Sequence, residues 1–290
     1  MSAVLNTNVA SLWASKNLLG AQNKLAGSVE RLSSGFRINR ARDDAAGLGV
    51  ANSLTAQING ANQGVRNLND AISMVQTAEG AIAAATDMGQ RILMLATQGA
   101  NGTLGLTEQK AIKSEMVQLL SSIDSIGART KFSGNPLLGA TANLTDTLYS
   151  MQISNTAADK VELKGSAFQS EGTGTGGQAA ALNTAVTALS ADADYTTANF
   201  QAIQTAATDY VVALGSQRSL LGAYQNQMDY TLSNITELSS NLQSARSRVI
   251  DTDYASETAA LTKGQILQQA ATAMLAQANQ MPNVILTLLK

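Results

Sequence analysis

Residues 48–95 read LGVANSLTAQINGANQGVRNLNDAISMVQTAEGAIAAATDMGQRILML. Their apolar and small residues return every three or four positions: Leu48, Ala51, Leu54, Ile58, Ala61, Val65, Leu68, Ile72, Val75, Ala78, Ile82, Ala85, Met88, Ile92 and Leu95. That spacing is one face of an α-helix, held for about thirteen turns without a proline. At 1.5 Å per residue the helix is about 70 Å long. A compact globule of this chain length has a radius of gyration of only about 19 Å. The stretch therefore predicts an elongated, rod-like molecule.

A stripe of that length needs a partner, and a second one begins at Phe200. It runs through Ile203, Ala207, Tyr210, Leu214, Leu221, Tyr224, Met228, Ile235, Leu238, Leu242, Ala245 and Val249, with Gln217 as its main polar interruption. Two stripes of similar length suit two long helices packed side by side in coiled-coil fashion. The expected fold is mainly α, a long antiparallel helical bundle with a small β-hairpin region and with its N- and C-terminal helices paired.

Residues 3–32 read as a first helix, with Leu5, Val9, Leu12, Leu19, Leu25, Val29 and Leu32 on one side. Lys16 and Gln22 interrupt that row, and four asparagines weaken helix propensity, so the helix needs a partner to be stable. Ser33-Ser34-Gly35 ends it, with Gly35 suited to the left-handed C′ position. A charged connector follows, containing Arg37, Arg40, Arg42, Asp43 and Asp44. Either aspartate can cap the long helix beyond it.

Thr107-Glu108-Gln109-Lys110 opens a third helix, with Ile112, Met116, Leu119, Ile123 and Ile126 inward. From Phe132 the period changes. Ser133-Gly134-Asn135-Pro136 is turn chemistry, and Leu148, Met151, Ile153, Val161 and Leu163 suggest short strands. Residues 170–177 are a Gly/Ser/Thr linker, and residues 178–198 read as a small exposed insertion with one short helix. A final helical segment beyond Asp251-Thr252-Asp253 carries Ile266, Leu267, Met274, Leu275 and Met281, then Leu288 and Leu289. So much apolar surface at a chain end calls for a protein partner.

Several function classes drop out. The chain has neither Cys nor His, which excludes disulfides, thiolate and imidazole chemistry and the common zinc sites. Nineteen basic residues against 21 acidic ones create no field for nucleic acid or an anionic membrane. No stretch approaches a membrane span, and the N-terminal residues lack a Sec-type signal. The carboxylate pairs Asp43/Asp44 and Asp251/Asp253 lack a pocket and suit capping, or pairing with Arg37, Arg40, Arg42, Arg246 and Arg248, better than catalysis. No catalytic, metal-binding or cofactor-binding residue is expected.

Four longer motifs identify a resemblance. Leu32-Ser33-Ser34-Gly35-Phe36-Arg37-Ile38-Asn39-Arg40-Ala41-Arg42-Asp43-Asp44-Ala45-Ala46-Gly47-Leu48 resembles the N-terminal signature of bacterial flagellins. Ala245-Arg246-Ser247-Arg248-Val249-Ile250-Asp251-Thr252-Asp253-Tyr254-Ala255 and Ile266-Leu267-Gln268-Gln269-Ala270 resemble the C-terminal one. Phe132-Ser133-Gly134-Asn135-Pro136-Leu137-Leu138 is similar to the turn that opens the family's β region.

The resemblance, over roughly residues 1–165 and 200–290, implies a self-assembling subunit of the helical flagellar filament used for swimming. It implies an inner domain of residues 1–45 with 251–290 and a long-helix domain of residues 46–169 with 198–250. Residues 170–197 would be a short variable exposed insertion where the family carries large outer domains. Polymerisation would fall to the terminal-helix residues Leu5, Val9, Leu12, Leu19, Leu25, Val29, Leu32, Ile266, Leu267, Met274, Leu275, Leu288 and Leu289. The connector would use Arg37, Arg40, Asp43, Asp44, Arg246, Arg248 and Asp251.

The family is exported unfolded through the flagellar type III channel to the cell exterior, and its ends order on assembly. Implied partners are further copies of the chain, an export chaperone, and the cap and hook-junction proteins. Many members also bind toll-like receptor 5 (TLR5). Gln90, Arg91, Leu95, Gln98 and Glu115 match that pattern, whereas Leu93 and Met94 replace its usual Arg-Glu pair. The alternatives are a hook–filament junction protein and a secreted monomeric adhesin or immune ligand.

Overall fold

The computed structural model describes residues 7–138, 147–164 and 178–288. Six helices and two hairpins form the described chain: α1 (Val9–Ser34), α2 (Ala45–Gly99), α3 (Leu106–Arg129), β1 (Lys131–Phe132), β2 (Asn135–Pro136), β3 (Thr147–Gln152), β4 (Lys160–Lys164), α4 (Gln178–Thr187), α5 (Thr197–Ile250) and α6 (Tyr254–Leu288). By its contacts the chain divides into two compact units, residues 1–58 with 240–290 and residues 59–239. The 170–177 linker of the sequence reading lies outside the described residues.

In unit 59–239 the two long stripes form the core. Leu68, Val75, Ala78, Ile82, Ala85 and Ile92 of α2 are fully buried, as are Phe200, Ile203, Ala207 and Leu221 of α5. The helices run antiparallel, because Gly99 meets Phe200, Gly89 meets Tyr210, and Asn62 meets Ser239. Gln217 is buried in this core at 7% exposure, as the interruption in the stripe suggested.

The second stripe departs from its expected register once. Leu238 is 46% exposed, and Ser239 takes the inward position, its hydroxyl 3.0 Å from Asn62 Oδ1. A sustained 3.6-residue repeat drifts against a packed seam, so the inward residue shifts by one. Helix α3 shows a similar shift, with Leu120 buried where Leu119 was expected.

The β residues form two antiparallel hairpins. β1 and β2 are joined by Ser133 and Gly134, both at positive φ, which is the left-handed turn chemistry read from the sequence. The β3–β4 hairpin buries Val161 and Leu163 in the core. Its loop lies on α2 at two glycines, where Asn155 faces Gly60, Ile153 faces Gly64, and Asn67 Nδ2 donates to Gln152 O at 2.7 Å.

The segment expected as an exposed insertion is instead docked. Ala179, Leu182 and Val186 of α4, with Leu189 beyond it, are buried in the same core. Lys113 of α3 donates to Leu189 O, and Lys110 pairs with Asp192 at 2.5 Å. Asp194 accepts from the backbone N–H of Ala191 and from Ser190, bonds that hold its carboxyl below its ordinary range. An Ala/Thr-rich helix shows little amphipathic signal in sequence, yet four apolar residues suffice to seat it.

Candidate functional site

Within the unit of residues 1–58 and 240–290, α1 and α6 lie antiparallel with their backbones in close contact along the pair. Asn8 Nδ2 donates to Ala278 O at one end of the pair, and Arg31 sits 3.6 Å from Glu257 at the other. The α1 residues turned inward are Ser11, Ala14, Leu18, Ala21, Leu25, Ser28 and Leu32, a strict alternation of three and four. On α6 the same alternation gives Leu261, Gly264, Gln268, Ala271, Leu275 and Ala278. That is a 3.5-residue repeat, the coiled-coil period.

One position in each heptad is small: Ala14, Ala21 and Ser28 on α1, Gly264, Ala271 and Ala278 on α6. Ala14, Ala21, Ser28 and Ala278 are all 9% exposed or less. Small residues at the seam let backbones approach, and Gly264 lies directly against Leu25. The expected single apolar row on α1 therefore splits between two faces. Leu25 and Leu32 are half-buried toward α6, while Val9, Leu12, Leu19 and Val29 are 48–63% exposed. On α6, Leu275 is half-buried, whereas Ile266, Leu267 and Met274 are exposed. Leu5, Leu289 and the side chain of Leu288 lie outside the described residues.

The seam takes the small residues together with Leu18, Leu25, Leu32, Leu261 and Leu275, and leaves the other large residues in water. Trp13 and Met281, which the expected set of polymerisation residues omits, are 61% and 55% exposed. With Leu267 and Met274 they line an open groove of about 570 Å³ between the helices, floored by Ala14 and Ala271. Lys16 stands 5.5 Å from the Trp13 ring centre, a cation–π contact at the groove's edge. The seven-residue spacing of Ala14, Ala21 and Ser28 is the sequence signal that would have located the seam, and with it the outward face.

The connector is pinned to the start of α6. Gly35 ends α1 in the left-handed conformation (φ 76°), its N–H bonded to Arg31 O. Phe36 and Asp251 form a β-bridge, flanked by hydrogen bonds from Arg37 N–H to Ile250 O and from Thr252 N–H to Gly35 O. The Arg37 guanidinium also donates to Val249 O at 2.7 Å, where the last carbonyls of α5 favour a cation. Arg40 pairs with Glu30 at 2.8 Å.

The two aspartates divide their work. Asp44 Oδ1 accepts from Gly47 N–H at 2.8 Å and caps α2. Asp43 Oδ2 accepts from the N–H groups of Arg40 and Asn39, and the Arg40 bond above all lowers its carboxyl's pKa. At α6 the cap is Asp253, whose Oδ1 accepts from Ala255 N–H. Arg246 is half-buried with its Nε unpaired, and Arg248 and Asp251 are exposed.

In the other unit, Gln90, Arg91, Gln98 and Glu115 are exposed, and Arg91 pairs with Glu115 at 2.6 Å across α2 and α3. Leu95 is only 2% exposed, so it is a core residue and not a surface contact. Among the described residues no helix is long and apolar enough to cross a membrane, and no carboxylate cluster could hold a metal ion.

Comparison with known proteins places both ends of the chain. The family model described as "Bacterial flagellin N-terminal helical region" matches residues 5–143, and "Bacterial flagellin C-terminal helical region" matches residues 201–289. A flagellin of Halalkalibacterium halodurans is 37% identical over 287 residues, covering 99% of this chain and all of that one. Flagellin B of Vibrio cholerae is 32% identical, with both chains fully covered by an alignment of 379 positions, so the relative carries additional sequence. A solved structure from Vibrio parahaemolyticus, described as a presumed flagellar hook-associated protein, is 13% identical with a TM-score of 0.56. It covers 72% of this chain and 98% of its own, a likeness of fold.

Proposed function

The chain belongs to the bacterial flagellin family and is a structural subunit of the extracellular flagellar filament, and we propose that it polymerises through the outward face of the paired α1 and α6. The observation that carries this reading is the inversion at the seam. Small residues alternating with half-buried leucines face the intramolecular partner, while Leu12, Trp13, Leu19, Ile266 and Met274 stand about 60% exposed. Burying one such side chain against another copy is worth about 1.5–3 kcal/mol. A face that meets a different face on the next copy gives an open helical array, whereas a self-complementary face would close into a dimer.

The buried residues of the α1/α6 seam, Ala14, Ala21, Ser28, Gly264 and Ala278, are all small and its leucines are only half-buried, which supports a pairing that orders on assembly rather than before it. Electron microscopy after seeding with filament fragments tests the reading. Wild-type chains are expected to give long tubes of uniform width, with a rise in helical ellipticity. Leu12→Asp combined with Leu19→Asp is expected to leave the soluble chain folded and give no tubes. Ordinary tubes from that double variant would remove these two residues, and the face, from the mechanism.

Further partners follow from the family. An export chaperone, the filament cap and the hook-junction proteins would meet the same terminal helices. Export in an unfolded state through the flagellar channel suits a chain without cysteine. The exposed quartet Gln90, Arg91, Gln98 and Glu115, organised by the Arg91–Glu115 pair, supports recognition by toll-like receptor 5. Arg91→Ala is expected to lower a receptor-reporter response by about tenfold, the effect of losing one interfacial arginine. An unchanged response would end that proposal.

A further inference from the structure

We propose that Met274 and Met281 form a peroxide-sensitive modification site, at which conversion to the sulfoxide blocks assembly. The inference rests on reading the α1/α6 face as the subunit contact. Met74, Met116 and Met228 are core residues at 6% exposure or less, and Met88 and Met151 are half-buried. Met274, Met281 and Met94 are the described methionines more than half exposed, at 64%, 55% and 57%. Two of these three lie seven residues apart on α6, so they share a face, and both line the groove beside Trp13.

The chemistry needs only a hydroperoxide. A thioether lone pair attacks the outer oxygen, the O–O bond breaks, and sulfur gains one oxygen. Sulfur is oxidised by two electrons as the peroxide is reduced, and the second oxygen leaves as water or an alcohol with the transferred proton. Accessibility sets which methionines react, since unperturbed thioethers have similar intrinsic reactivity. The product is a strongly dipolar acceptor in place of a flexible apolar chain, and such conversions disrupt methionine-rich contacts. Here the sulfoxides would stand in a groove floored by alanine methyl groups, which a second copy must cover.

The test uses the full chain and hydrogen peroxide. Peptide mass spectrometry of treated free chains is expected to show oxidation at Met274, Met281 and Met94 ahead of Met116 and Met228. The concentration needed for seeded assembly should rise at least tenfold. For Met274→Leu with Met281→Leu, the concentration needed for seeded assembly should be the same before and after peroxide, whatever its starting value, whereas Met94→Leu should remain sensitive; either single leucine variant should show a partial effect. Normal assembly by chains carrying both sulfoxides, or equal loss in the double leucine variant, overturns the inference. Treating preformed filaments separates this from failure of the underlying reading. Protection of Met274 and Met281 while Met94 still reacts upholds the contact face. Equal oxidation in filaments and free chains removes the face, and the inference with it.

Discussion

A chain ending at Asp253 is expected to give no filaments, even when seeded, while the thermal transition of its remaining fold stays within about 2 °C of full length. The deletion removes α6, 35 residues of helix, together with half of the outward face. Helix α1 then loses the partner against which Ala14, Ala21 and Ser28 are buried. Isolated helices are marginal in water, and α1 carries asparagines and glycines that lower its propensity further. The core of residues 59–239 shares no buried residue with that seam, so it should melt as before. Tubes of normal width from the shortened chain would overturn assembly through the terminal pair. A transition lowered by more than 5 °C would instead show that the long-helix unit depends on α6.

Gly64→Ala is expected to lower the melting temperature of the long-helix unit by about 10 °C, although alanine is the better helix former by about 1 kcal/mol. A Cβ at Gly64 would sit 1.9 Å from Ile153 O and 2.6 Å from its carbonyl carbon. Those are backbone atoms of the β3–β4 hairpin, which cannot swing aside as a flexible side chain can. The hairpin must lift, and the bond from Asn67 to Gln152 O is lost with it. Val161 and Leu163 would leave the core, at about 1.5–3 kcal/mol for each side chain fully exposed. The same substitution at Gly80 is the control, because nothing lies within 4 Å of its Cβ position. Gly80→Ala should hold or raise the melting temperature. Equal shifts for the two variants, read by circular dichroism, would show that the hairpin is not seated on Gly64.

Much of this fold is legible from residue spacing. The α2 stripe came through intact, with each of its fifteen residues buried or half-buried. Gly35 ends α1 at positive φ, and Ser133-Gly134 turns the first hairpin, because so few residues tolerate that conformation. Asp44 and Asp253 cap the helices they precede. The docking of α4 was not legible. Its three buried apolar residues and Leu189 beyond it sit among alanines and threonines, and the lysines that hold the turn after it come from α3, far off in sequence.

The sequence by itself determined that two long stripes would pair, where the helices stop, and which family the chain joins, since each of these depends on local periodicity, caps or an uninterrupted motif. It did not determine which face of α1 and α6 turns inward. Periodicity says which residues share a side of a helix; it does not say whether that side meets the chain's own partner or another molecule. Large residues were the natural choice for the seam. Only the tertiary structure showed one small residue in each heptad there, alternating with a leucine or glutamine and leaving the other large residues outside, because close backbone approach between two helices depends on both surfaces at once. That choice leaves Leu12, Trp13, Leu19, Met274 and Met281 facing outward.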